Sequence, residues 1–180
     1  MLSVFRRNPQ APTIEALYGA IVAQARAAVF YLDYRVPDTV NGRLDMLMLH
    51  LALVFDRLSQ GNAEASALGQ GLFDRFCRDM DDHLREQGVS DLKVPKEMRS
   101  VGAAFFGRMG AYLSALHTAD EQALREALSR NVYLDLEGAP AGRLGAYMAR
   151  AHAELAVHEP ASLASGQLSW PDPATIRPER

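Results

Sequence analysis

Hydrophobic residues recur along this chain at three- and four-residue spacing, and almost nowhere in the strict alternation of a half-buried strand. The pattern predicts an all-α protein, a single-domain bundle of about six helices with a Pro-rich C-terminal tail. Thr13 is placed to cap a first helix running to about Tyr31, and Pro37 and Gly42 in "YRVPDTVNG" are placed to break it. The second helix, about Gly42 to Leu58, is apolar around most of its circumference. Its polar groups fall in two narrow patches, Asp45 with Asp56 and His50 with Arg57, so it belongs at the centre of the bundle with His50 at the edge of the core. A third helix follows the "SQGN" turn and ends near Gln87, where Gly88 suits a left-handed C-terminal cap.

Pro95 fits the first turn of a fourth helix reaching about Leu116, because a missing amide hydrogen costs nothing there. "TADE", Thr118 to Glu121, reads as a capping box for a fifth helix to about Arg130. The sixth, about Pro140 to Val157, carries Leu144, Tyr147, Met148, Ala151 and Leu155 at core spacing. This division gives an N-terminal segment (1–12), a helical domain (13–158) and a tail (159–180) for which Trp170 is the one large anchor.

Two helix faces depart from the ordinary amphipathic pattern. Opposite its apolar face, the fourth helix sets Ser100, Ala103, Gly107, Ala111 and Ser114 in a seam of small side chains. A tight helix contact inside the domain is the expected use of such a seam, and a groove for a partner helix is the alternative. The third helix is dense in charge through "FDRFCRDMDDHLREQGVSDLKVPKEM", Phe73 to Met98. On a helical wheel Leu72, Phe73, Phe76, Cys77, Met80 and Leu84 share an arc of about 140°, which sends Cys77 to the core. Cys77 and His83 lie about 120° apart and nearly two turns apart, so they cannot share one ion. Arg75 with Asp79, Arg78 with Asp82 and Asp81 with Arg85 are each four residues apart, as is Asp79 with His83. Pairs of this kind add little stability on a solvated face. The only lysines in the chain, Lys93 and Lys96, follow directly and form a basic patch with Arg99.

Composition narrows the classes without choosing among them. A formal net charge of −3 and a pI near 5.9 exclude the broad basic surface of general nucleic-acid binding, so no specific nucleic-acid partner is expected. The longest apolar run, Met46 to Phe55, is about half the length needed to span a bilayer. One cysteine allows no internal disulfide, which points to a reducing compartment. "MLSVFRRNP" has the apolar and arginine content of a transit peptide, but Pro9 and Pro12 interrupt it.

The dense stretch, together with "VPDTVNGRLDMLMLHLALVFDRL" at Val36 to Leu58, resembles the ubiquinol-cytochrome c chaperone family, over roughly Ile14 to Ala156. The resemblance implies a helical, non-enzymatic assembly chaperone that binds newly synthesised cytochrome b and promotes biogenesis of the cytochrome bc1 complex. It implies a client-binding set of Asp74, Asp79, Asp81, Arg85, Asp91 and Lys96, to which the basic patch adds Lys93 and Arg99, with Leu84, Gly88, Val94, Pro95 and Met98 as structural motif. The expected partner is cytochrome b or a bc1 assembly intermediate, with the ribosome or the inner-membrane surface as further contacts. The expected setting is the bacterial cytoplasm, extending to the cytoplasmic face of the inner membrane. No catalytic residue, metal or cofactor is expected. Two other classes compete: a haem-handling protein using His50, His83, Met46 or Met48 as axial ligands, and an all-α enzyme, for which no recognised motif is present.

Overall fold

A computed structural model describes residues 9–157 and 159–177, so the arginines and apolar residues of the N-terminal stretch read above, 1–8, lie outside the described residues. The described chain is helical: α1 (Ala11–Ala25), α2 (Ala28–Leu32), α3 (Val40–Ser59), α4 (Ala63–Glu86), α5 (Val94–His117), α6 (Glu121–Val132) and α7 (Ala141–Val157), followed by two 3-10 turns. The all-α bundle is as expected, but the anticipated first helix is two. Its break at Arg26–Ala27 contains neither Pro nor Gly. Phe30 is instead drawn fully into the core, and the Tyr31 hydroxyl donates to the Ala25 carbonyl at 2.7 Å, satisfying an acceptor at the end of α1.

Local starts and stops explain the other boundaries. Thr13 lies inside α1, whose cap residue is Gln10, and Pro12 occupies the first turn. Thr39 caps α3 by accepting from the Gly42 amide at 3.1 Å. Gly42 therefore sits within the helix rather than breaking the chain, and glycine is required there because a Cβ would fall 2.0 Å from the Pro37 carbonyl oxygen. Asn62 caps α4 through two amides. Gly88 ends the same segment at φ +82°, with the Val89 amide donating to the Leu84 carbonyl in the six-to-one pattern of a glycine-terminated helix. The "TADE" box does not form: Thr118 belongs to the end of α5, its hydroxyl donating to the Ser114 carbonyl, and Asp120 caps α6 by accepting from the Ala123 amide at 2.9 Å.

α3 is the axis of the bundle. It packs on α1, α4, α5, α6 and α7, as its almost continuous burial from Asp45 to Val54 requires. Around it Phe30, Tyr34, His50, Tyr147 and Trp170 meet edge to face. His50 lies in the middle of this cluster and not at the core's edge. The Pro-rich segment closes over it with more than Trp170: Leu163 is buried, the Tyr34 hydroxyl donates to the Pro173 carbonyl, and Arg143 lies over the Tyr34 ring while donating to the Ile176 carbonyl. Tyr133 adds a further bond, donating to the Tyr34 carbonyl. Among the described residues no helix is long and apolar enough to cross a membrane.

Candidate functional site: the α4–α5 corner and the outer face of α5

The charged stretch folds as the second half of α4, the turn around Gly88 and the first turn of α5. Phe76 and Met80 are buried, and Cys77 is half-buried against the core, with burial raising its thiol pKa and holding it protonated. Val94 is buried, Met98 packs against the core, and Pro95 lies in the first turn of α5, consistent with structural parts. Leu84 departs from its assigned place in the core, being only half-buried near the C-terminal end of α4.

Pairing in the lattice differs from the four-residue scheme. Arg85 does bond Asp81, at 2.6 Å, and it also reaches across the turn to Asp91, tying α4 to the crossover. Arg75 bonds Asp79 at 3.3 Å but spends its Nε on both oxygens of Glu15 in α1. Tyr18, also from α1, donates to Asp79 at 2.8 Å beneath the Arg75 guanidinium, which lies 4.6 Å from its ring centre. Burial, followed by the Asp79 contact, pushes the Tyr18 phenol pKa far above its ordinary value, so it stays a donor. Asp79 is therefore held by Tyr18 and Arg75 and not by His83, which meets Gln87 at 2.8 Å. Among the described residues Arg78 and Asp82 form no ion pair; Arg78 donates to the Asp74 carbonyl, and the Asp74 carboxylate accepts from Gln70.

Lys93, Lys96 and Arg99 are exposed and have no carboxylate partner among the described residues. They lead into the small-residue seam, where the expected internal contact is absent. Ser100, Ala103, Gly107 and Ser114 are exposed, Ala111 is half-buried, and a Cβ added at Gly107 or Gly110 meets nothing within 4 Å. Phe106 stands 53% exposed on this face, backed by Phe73 and Phe105. The outer face of α5 is thus a stripe of small side chains with one aromatic and a basic start. Beside it, a groove of about 550 Å³ runs between α5 and the start of α3, walled by Ser100, Val101, Ala104, Met48 and Leu134. A second groove, of about 460 Å³ between α1, α3 and α4, joins Val22, Leu47 and Met80 to the charged Arg26, Asp82 and Glu86.

Comparison with known proteins places this chain in a family. The model of the ubiquinol-cytochrome C chaperone family matches residues 32–170, most of the chain. The crystal structure of the Cbp3 homolog from Brucella abortus superposes with a TM-score of 0.87 at 40% sequence identity, covering 93% of each chain. The chain belongs to the ubiquinol-cytochrome C chaperone family. Comparison with curated proteins gave no match.

Haem ligation by His50 finds no support in this chaperone fold. Its Nδ1 lies 2.7 Å from the Met46 carbonyl and its Nε2 2.9 Å from the Tyr147 hydroxyl, which also accepts from Gln24. Both ring nitrogens are committed, and Met46 and Met48 are buried. Sequence spacing did not reveal one cluster of groups that could hold a metal ion. Asp56 of α3, His117 of α5 and His152 of α7 converge, each imidazole Nε2 lying 2.9 Å from one oxygen of the carboxylate. The residues are 61 and more positions from Asp56 in two different helices, so no local motif announces them.

Proposed function

We propose that this protein is an assembly chaperone that binds newly synthesised cytochrome b and promotes biogenesis of the cytochrome bc1 complex, in the bacterial cytoplasm at the inner-membrane face. The observation that carries the reading is the open outer face of α5, since family membership makes it a chaperone and this face fits a membrane-type client. Small side chains let a second helix backbone approach closely, which is how apolar membrane helices associate. Phe106 and the neighbouring groove supply apolar contact, while Lys93, Lys96 and Arg99 face acidic or phosphate groups at the helix end. Asp74, Asp81, Arg85 and Asp91 form the polar border that sets register. Asp79, clamped by Tyr18 and Arg75, positions α4 against α1 and contributes to recognition through that placement.

The double variant Ala103→Glu and Gly107→Glu tests the face directly, because both positions are exposed. Affinity capture of the tagged protein from growing cells should recover cytochrome b, and the variant should recover about tenfold less, which corresponds to about 1.4 kcal/mol of binding. Circular dichroism should show both proteins folded. Equal recovery by a folded variant would overturn the role of α5, and absence of cytochrome b from the unmodified capture would overturn the client.

A further inference from the structure

We propose that Asp56, His117 and His152 form a binding site for one divalent transition-metal cation of the zinc class, bridging three helices at the far end of α5 from the basic patch. The three ligand atoms lie within 4.8 Å of one another. Bonds of about 2.0–2.1 Å arranged tetrahedrally around zinc separate ligand atoms by about 3.3 Å, so the cluster needs only small side-chain adjustments to surround an ion. The rings of His117 and His152 stand 5.7 Å apart at 50°, presenting their Nε2 atoms from two sides of the same carboxylate.

The donor set selects the class of cation. Two imidazole nitrogens and one carboxylate suit zinc and neighbouring first-row ions, whereas calcium and magnesium seek six or more oxygen ligands. No thiolate enters the cluster. Asp56 is 6% exposed, so its charge is held in a poorly solvated place, where a cation is worth more than on the surface. The His117 side chain is 51% exposed and leaves a side of the cluster open for water to complete the coordination. His117 is also the last residue of α5, where the free carbonyls at the helix end favour positive charge.

An outer layer holds the carboxylate in place. Gln60 donates to Asp56 at 3.2 Å and accepts from Arg57 at 3.1 Å. Supports of this kind fix the orientation of a ligating carboxylate and are typical of metal sites. Bridging α3, α5 and α7, the ion would clamp the C-terminal end of the client-facing helix to the core. The site rests on its own geometry, independent of which client α5 receives.

Calorimetric titration of the full chain with zinc after chelator treatment tests it, with cobalt as a spectroscopic probe. One ion per chain is expected, with a cobalt visible absorption spectrum of low coordination number and a zinc-dependent rise in Tm. His117→Ala removes a half-exposed group, so the variant should stay folded while its affinity falls by more than the ~10–100-fold typical of losing an outer partner. His152→Ala should behave alike, and His83→Ala should bind as the unmodified chain does. No binding by the unmodified chain, or equal binding by folded His117→Ala, would overturn the site. A ratio of one ion to two chains would assign the metal to an intermolecular contact and overturn it as well.

Discussion

The two ends of α5 hold their charges by opposite means. At its start Lys93, Lys96 and Arg99 stand in solvent without carboxylate partners among the described residues, next to Arg85, itself shared between Asp81 and Asp91. At its end Asp56 is almost fully enclosed and each of its oxygens meets a histidine from a different helix. Solvated pairs trade one set of polar partners for another at little cost, so the first end can exchange its contacts with an incoming client. Buried charges lose strongly when a partner is removed, so the second end fixes how three helices meet. A recognition surface and an anchoring point thus occupy one helix, separated by the small-residue stripe.

The largest effect that distinguishes interior from surface polar groups is expected at His50. Burial pushes its imidazole pKa from 6.5 down to about 4, so between those values the unfolded chain binds a proton that the folded chain refuses. Its contribution to stability is complete above pH 6.5 and shrinks as pH falls, reaching a loss of about 3 kcal/mol by pH 4. Urea denaturation at pH 7 and pH 4.5 should show this loss in the unmodified chain and a flatter dependence in His50→Gln. Equal pH dependence in the two proteins would remove His50 from the account.

Gly88 offers an intermediate test, on the turn that carries the recognition corner. A Cβ there meets nothing within 4 Å, so Gly88→Ala pays only for the left-handed backbone, about 1–2 kcal/mol. Thermal denaturation should show that cost, and client recovery should fall if the corner shifts. The smallest stability effect is expected at Arg85, which is solvent-facing. Arg85→Ala should leave the denaturation midpoint unchanged within error while lowering cytochrome b recovery severalfold. A clear drop in midpoint would make the Arg85 pairs structural, and would erase the contrast between the two ends of α5.

The positions where sequence and structure agree are those governed by neighbours in the chain. Gly88 terminates α4, Pro95 opens α5, and Leu144, Tyr147, Met148, Ala151 and Leu155 all face the core. Helical period and backbone conformation set these outcomes, and both are properties of short segments. Asp79 keeps its expected i,i+4 partner Arg75 but not His83, because Tyr18 arrives from α1, 61 residues away. An i,i+4 neighbour is only one competitor for a carboxylate, and a buried phenol that must find an acceptor takes precedence over a half-buried imidazole. The break before α2 is a similar case, in which placing Phe30 in the core overrides good local helix formers.

The small-residue seam was visible in the sequence as a face, but nothing in the sequence could say whether another helix of the same chain covered it. That depends on how the helices wrap around α3, and they leave Gly107 open. By itself the sequence determined the helices, the apolar stripe each buries and the resemblance to a chaperone family, because these follow from spacing along one segment. Only the tertiary structure decided that the outer face of α5 is free and that Asp56, His117 and His152 meet, because both depend on the packing of helices far apart in the chain.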